Sequence, residues 1–193
     1  MTDKKEKDPL LVEKHRRQGR KARRKGSTNE RAVAKILELW WGKGVFKRTP
    51  LSGGWGNREE FKTCGDIQCS DSLWPFHVEI KARESWMLEQ LICGYKTNLA
   101  KWWLQTITEC PEGKKPLMIF TKNNYPFFCM LKIADVPKIA ILWGTGIFFK
   151  EWVILPLNDF CTLTDRNYWL GIDTKKYNEE KIAHEPTATN AAA

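Results

Sequence analysis

The sequence predicts an α/β domain in which helices flank a mixed central sheet. Val33, Ile36, Leu37 and Trp40 recur at helical spacing near the start of the chain. Residues 76–82 instead alternate apolar and polar side chains, as a strand does. Further apolar runs of strand length lie before and after a second helical segment. Strands and helices interleaved in one chain favour a layered α/β sandwich.

The elements follow in the order α-β-β-β-α-β-β. The first helix is predicted over about 27–41, with Ser27 or Thr28 as its N-cap and Gly42 or Gly44 at its end. The segment 88–110 is predicted to be mostly helical, with a break near Gly94. Strands are predicted at 45–51, within 64–71, and at 74–82, 116–121 and 127–133, and the run 147–155 is a strand or an interface segment.

Size and composition exclude several classes of protein. The chain has 193 residues, of which 42% are hydrophobic and 28% charged, as in an ordinary globular domain. No apolar run approaches the length of a membrane span, and the charged first residues do not resemble a signal peptide. The six cysteines form no CxxC pair, and the three histidines are dispersed, so no zinc finger is predicted. We expect a cytoplasmic protein, because a reducing cytosol suits free thiols.

The net charge of +9 is concentrated at the N-terminus. Residues 1–25 contain eleven Lys or Arg and four Asp or Glu. Such a block is either a solvated tail or an arm that binds nucleic-acid phosphates. We expect a flexible basic arm over 1–25, an ordered domain over 26–176 and a disordered tail over 177–193. The candidate DNA-binding residues of the arm are Lys14, Arg16, Arg17, Arg20, Lys21, Arg23, Arg24 and Lys25.

Asp66, Glu79 and Lys81 are the strongest candidates for chemistry. Glu79 and Lys81 share one face of the strand at 74–82, and Asp66 lies thirteen residues before Glu79. If the two segments are neighbours in the sheet, the paired carboxylates can hold Mg²⁺, and the lysine can stabilise charge on a phosphoryl oxygen. The alternative is that Glu79 and Lys81 form an ordinary solvated charge pair.

Glu30 has two interpretations. Ser27-x-x-Glu30 fits a capping box, in which the glutamate bonds a backbone N–H at the start of the helix. Glu30 also lies on the side of the helix that is expected to pack, where it could reach a metal site. Spacing alone favours the cap.

Four stretches in this order resemble the PD-(D/E)xK nuclease superfamily, and within it the archaeal-type and phage-encoded Holliday junction resolvases. They are KGSTNERAVAKIL (25–37), RTPLSGG (48–54), GDI (65–67) and HVEIKAR (77–83). The resemblance implies a restriction-endonuclease-like core with Glu30, Asp66 and Glu79 at the metal, Lys81 as the catalytic lysine and a contribution from Ser52. We expect the backbone carbonyl of Ile80 to complete the metal site. Gly65 departs from the proline of many relatives.

The resemblance further implies a homodimer of a bacterial, archaeal or phage-infected cell that uses Mg²⁺, for which Mn²⁺ is expected to substitute. Such an enzyme cuts paired strands of branched DNA during recombination and leaves a 5′-phosphate and a 3′-hydroxyl. Residues 139–157 are aromatic-rich and are expected to supply a dimer face. Beyond Arg83 the sequence is more similar to phage-type members, so the substrate follows less directly from the resemblance than the catalytic residues do.

Other residues are candidates for contact with DNA. Lys47, Arg48 and Arg58 flank the glycine-rich loop and would suit the DNA backbone. Lys101 and Gln105 share one helix face and could point to the site or form a solvated pair. Trp55 and Trp74 lie in or beside loops and could stack on exposed bases.

Three alternatives to a junction resolvase remain at this point. The first is another nuclease of the same fold, restriction-like or end-processing. The second is a non-enzymatic DNA-binding protein that functions through its basic arm alone. The third is an RNA-binding protein, because a basic arm does not distinguish RNA from DNA.

Overall fold

The computed structural model describes residues 9–49, 65–94, 97–136, 146–149 and 151–172, and among these the side chains of 9–12, 14, 15 and 21–23 are not described. Within these ranges a sheet is covered by helices on both faces, as the sequence predicts. No helix in the described part of the chain is long and apolar enough to cross a membrane. The division into arm, domain and tail stays a prediction, since 1–8 and 173–193 lie outside the described residues.

The chain forms five helices and seven strands in the described residues. The helices are α1 (Pro9–Trp41), α2 (Leu88–Ile92), α3 (Asn98–Glu109), α4 (Leu157–Leu163) and α5 (Arg166–Trp169). The strands are β1 (Phe46–Arg48), β2 (Ile67–Cys69), β3 (Phe76–Ala82), β4 (Lys115–Thr121), β5 (Phe128–Lys132), β6 (Ile147–Phe149) and β7 (Trp152–Pro156).

Five strands form the main sheet, in the order β3-β4-β5-β7-β6. β3 and β4 are parallel, and the other neighbouring pairs are antiparallel. β1 and β2 form a separate antiparallel pair. The predicted mixed sheet is therefore confirmed, with β3 at one edge.

Apolar side chains cover the two faces of the sheet separately. On one face, Val33 and Leu37 of α1 pack with Val78 of β3 and Phe160 of α4. On the other face, α3 packs over β4, β5 and β7 in a second cluster that contains Trp103. The strand β3 thus lies between two helical layers. Its residues 77, 79 and 81 are on the side of α3, and residues 76, 78 and 80 are on the side of α1.

The first helix begins at Pro9, so the predicted start at residues 27–28 is wrong. Helix formers without an internal proline continue upstream of Ser27. Glu13 also offsets charge in the basic stretch, because its Oε1 accepts hydrogen bonds from Arg17 and Arg20 at 3.2 Å each. Thr28 is no cap: its hydroxyl donates to the Arg24 carbonyl, as in a helix interior.

Trp74 lies in the core, so the expectation that it stacks on bases is wrong. It is 4% exposed, and its ring packs edge-on against Trp41 and Phe46 at centroid distances of 5.1 and 4.7 Å. Trp55 and Trp143 lie outside the described residues. The apolar run 147–155 forms two antiparallel strands, β6 and β7, instead of one.

Gly65 attaches the β1–β2 pair to the edge of β3. It makes a parallel bridge with Val78 at a φ of +61°, and a Cβ there would lie 2.3 Å from the Val78 carbonyl oxygen. Left-handed backbone of this kind favours glycine. The close approach to another backbone leaves no room for a side chain.

Replacing Gly65 with alanine should therefore lower the melting temperature strongly. We expect Gly65→Ala to cost about 3 kcal/mol or more, or roughly 6 °C, in a thermal melt followed by circular dichroism. Gly113→Ala is the matched control, because Gly113 also has a positive φ, of +79°, but has no atom within 4 Å of the added Cβ. Equal losses in the two variants would contradict the close approach at Val78.

Candidate active site

The backbone of Asp66 is held against the outer edge of β3. Its N–H donates to the Val78 carbonyl at 2.7 Å, and its Oδ2 accepts from the Ile80 N–H at 2.8 Å. Thr49, directly after β1, fixes the same turn from the other side, because its N–H donates to the Asp66 carbonyl at 2.9 Å. Asp66 is consequently nearly buried, at 9% exposure.

Glu79 and Lys81 extend from β3 next to this turn. Glu79 is also 9% exposed, and its carboxylate accepts a hydrogen bond from the Lys81 ammonium. Lys81 Nζ lies 3.2 Å from Gln105 Oε1 on α3, and Gln105 in turn donates to Glu109 at 2.9 Å. The helix α3 thus presents Gln105 to the lysine, which is one of the two arrangements that the sequence left open.

The carboxylate of Asp66 is electrostatically unfavourable in the protein without a cation. Burial, followed by the negative charges of Glu79 and Glu30, raises its pKa to about 6 against the lowering effects of the Ile80 N–H and the Lys81 charge. Two nearly buried carboxylates that interact in this way suit a hard divalent cation, which takes oxygen ligands. The donor set at Asp66 and Glu79 therefore fits Mg²⁺.

The Ile80 carbonyl lies on the same edge. In a strand, the N–H and C=O of one residue point to the same side, as the exchange of two hydrogen bonds between paired residues requires. Since the Ile80 N–H points to Asp66, its carbonyl oxygen also faces that edge. A metal at Asp66 would find this oxygen within the same group of donors.

Glu30 is in the interior of α1, so the capping-box interpretation is wrong. Its Oε2 accepts a hydrogen bond from Arg48 Nε at 2.5 Å. Its negative charge nevertheless contributes to the raised pKa of Asp66, so the two carboxylates interact electrostatically. Its assignment as a metal ligand stays a prediction.

Sequence reasoning missed a second set of donors around Glu79. His77, Glu79 and Glu109 each place a possible ligand atom within 4.8 Å of the other two. His77 is 2% exposed and shares the strand face of Glu79. Strand parity could have signalled His77, whereas Glu109 comes from α3 and required the tertiary structure. A cation bound by these three residues would compete with Asp66 for Glu79.

The predicted DNA-binding residues are distributed over α1, β1 and α3. Arg16, Arg17, Arg20 and Arg24 are exposed on α1, Lys47 is exposed on β1, and Lys101 is exposed on α3. Lys25 forms an ion pair with Glu84 at 2.6 Å. The side chains of Lys14, Lys21 and Arg23, and residues Ser52 and Arg58 as a whole, lie outside what the structure describes.

A comparison with models of known protein families assigns the chain to a family. Residues 21–167 match the family model described as "Phage putative PDDEXK endonuclease". The chain belongs to this PDDEXK family. A search of curated proteins and a search of solved structures each found no significant match. PDDEXK nucleases generally use divalent metals, in agreement with the carboxylates at the edge of β3. The family supports a nuclease and does not specify Holliday junctions.

The charge on Asp66 predicts an effect on stability. Because the folded-state pKa of about 6 lies above the ordinary value of 3.8, ionised Asp66 destabilises the metal-free protein. We expect Asp66→Asn to raise the melting temperature in EDTA at pH 8 by about 3 °C or more, since the amide oxygen can still accept the Ile80 N–H. Conversely, Mg²⁺ should stabilise the wild type more than the variant.

The pH dependence is the internal control for this experiment. The advantage of Asp66→Asn should shrink as pH falls through 6 towards 3.8, because the wild-type carboxyl becomes protonated in the folded state. A variant that melts below the wild type at pH 8 would argue against an unfavourable carboxylate at this position.

Proposed function

We propose that this chain is a Mg²⁺-dependent, structure-selective DNA endonuclease that resolves four-way junctions by paired phosphodiester hydrolysis. The observation that carries the proposal is the pair of nearly buried carboxylates, Asp66 and Glu79, beside Lys81 at the edge of β3. Membership of the PDDEXK family supports the nuclease activity. The choice of a junction rests on the resemblance of the four sequence stretches.

The residues of the site have distinct roles in this proposal. Asp66, Glu79 and the Ile80 carbonyl would hold the cation, and Glu30 would add negative charge to the site. When bound, Mg²⁺ would acidify and orient a water molecule and neutralise charge on the scissile phosphate. Lys81 stabilises the charge that develops on the phosphoryl oxygens. Water adds to phosphorus and the P–O3′ bond breaks, which leaves a 5′-phosphate and a 3′-hydroxyl.

Surface charge supports DNA as a partner, and half-buried aromatic side chains support a second copy of the chain. The exposed arginines of α1 attract the DNA backbone without reading its sequence. Paired cuts require two sites, and a homodimer would supply them by symmetry. Half-buried Phe149 and Trp152 lie on β6 and β7, at the sheet edge opposite β3, and support the predicted dimer face.

A cleavage assay tests the proposal. Wild type is incubated with an immobile four-way junction or a duplex of matching sequence, in Mg²⁺ or in EDTA. We expect Mg²⁺-dependent, paired nicks in the junction alone. Asp66→Asn, Glu79→Gln and Lys81→Ala should each lower the rate by at least about 100-fold while junction binding survives.

Glu112→Gln is the matched control, because Glu112 is an exposed glutamate in the turn that leads into β4, outside the candidate site and outside the predicted dimer face. It should cleave like the wild type. Cleavage of junction and duplex alike would keep the nuclease and reject the junction specificity. Binding without cleavage in every lane would favour a non-enzymatic DNA-binding protein.

A further inference from the structure

Five basic side chains form a stripe along one face of α1. Arg17, Arg20, Arg24, Arg31 and Lys35 follow one another at intervals of three, four, seven and four residues, and all five are exposed. Residues at such intervals lie above one another on a helix. From residue 17 to residue 35 the stripe is about 27 Å long at the rise of an α-helix.

The C-terminal end of the stripe opens into a groove between α1 and β1. The groove has a volume of about 490 Å³ and is lined by four basic residues, Arg31, Lys35, Lys47 and Arg48, with Glu38 as its acidic member. The charge balance of these side chains favours an anionic occupant. The apolar floor is small and is provided by Ala34 and Phe46.

The groove adjoins the candidate active site. Arg48 lines the groove and also donates to Glu30, whose charge acts on Asp66. A chain of phosphates that follows the stripe into the groove would therefore arrive beside the carboxylates.

The C-terminal part of the stripe lies on a segment of α1 that packs into the core of the protein. Val33 and Leu37, on another face of the same helix, are fully buried in the core. Upstream, the ion pair between Lys25 and Glu84 ties α1 to the segment that follows β3. The helix thus sets both the direction of the stripe and its distance from Asp66.

From this geometry we infer that one duplex arm of the DNA lies along α1, with its sugar–phosphate backbone in the groove at Arg31 and Lys35. This inference rests on the proposed function and adds two phosphate-binding residues and a direction to it. At 3.4 Å per base pair, the stripe spans about eight base pairs of that arm. The contacts position the duplex and carry no sequence preference.

The salt dependence of binding tests the two new residues. Binding of a fluorescent four-way junction is measured by anisotropy in EDTA over a series of salt concentrations. We expect Arg31→Ala and Lys35→Ala each to reduce the slope of log K against log salt by about 0.9, and to weaken binding several-fold at 0.1 M salt. The control is Lys132→Ala, because Lys132 is an exposed lysine at the end of β5 and should keep the wild-type slope.

The length of the arm tests the direction. Shortening the arms of a hairpin-capped junction from twelve to six base pairs should weaken binding by the wild type, because the shorter arm no longer reaches the Arg17 end of the stripe, and should have less effect on the Arg17→Ala, Arg20→Ala double variant. Melting temperatures of all variants are compared first, so that loss of fold is recognised. Wild-type slopes in both single variants, or equal sensitivity to arm length, would overturn the inference.

Different results would reject the proposed nuclease activity and the proposed DNA path along α1. If the wild type cuts junctions with Mg²⁺ but Arg31→Ala and Lys35→Ala keep its salt slope, the assigned arm is wrong and the nuclease stands. If the salt dependence of binding falls in the variants as expected but the wild type cuts no DNA, the stripe binds nucleic acid and the proposed activity is wrong.

Discussion

The attachment of the Gly65–Asp66 turn to the edge of β3 is the contact on which the candidate site depends. Two backbone-directed hydrogen bonds, from Asp66 to Val78 and from Ile80 to the Asp66 carboxylate, set the aspartate beside Glu79. The same turn anchors the β1–β2 pair, which carries Arg48 and closes the groove along α1. Backbone geometry at one glycine therefore positions both the carboxylates and the basic surface beside them.

The two carboxylates that the proposed function requires lower the stability of the metal-free protein. Burial of Asp66 next to Glu79 disfavours its ionised form, as the raised pKa shows. The same two carboxylates would become favourable once a divalent cation shares their charge. Lys81 compensates only partly, since it forms its own ion pair with Glu79. The site is thus built for a positively charged ligand, and the apolar clusters on both faces of the sheet supply the stability that holds it together.

Periodicity predicted the mixed α/β sandwich and the main strands, because buried strands and the core face of α1 follow simple spacing rules. It did not predict that α1 extends back to Pro9, since a dense basic block is self-repelling unless an acid such as Glu13 is placed within it. The short helices α4 and α5 were also missed, although Asp165 caps α5 by accepting from the Tyr168 N–H.

Only part of the candidate site could be predicted from the sequence. The two-residue spacing of a strand places Glu79 and Lys81 on one face. The contacts of Arg48 with Glu30 and of Lys81 with Gln105 join distant segments, and only the fold brings them together.

In the proposed enzyme, Asp66 and Glu79 share one divalent cation at the edge of β3. The most direct test is a crystal of the wild-type protein soaked in Mn²⁺, with anomalous diffraction recorded at the manganese edge. We expect an anomalous peak coordinated by Asp66, Glu79 and the Ile80 carbonyl oxygen, and no such peak in Asp66→Asn. A peak held by His77, Glu79 and Glu109 that persists in Asp66→Asn would contradict it.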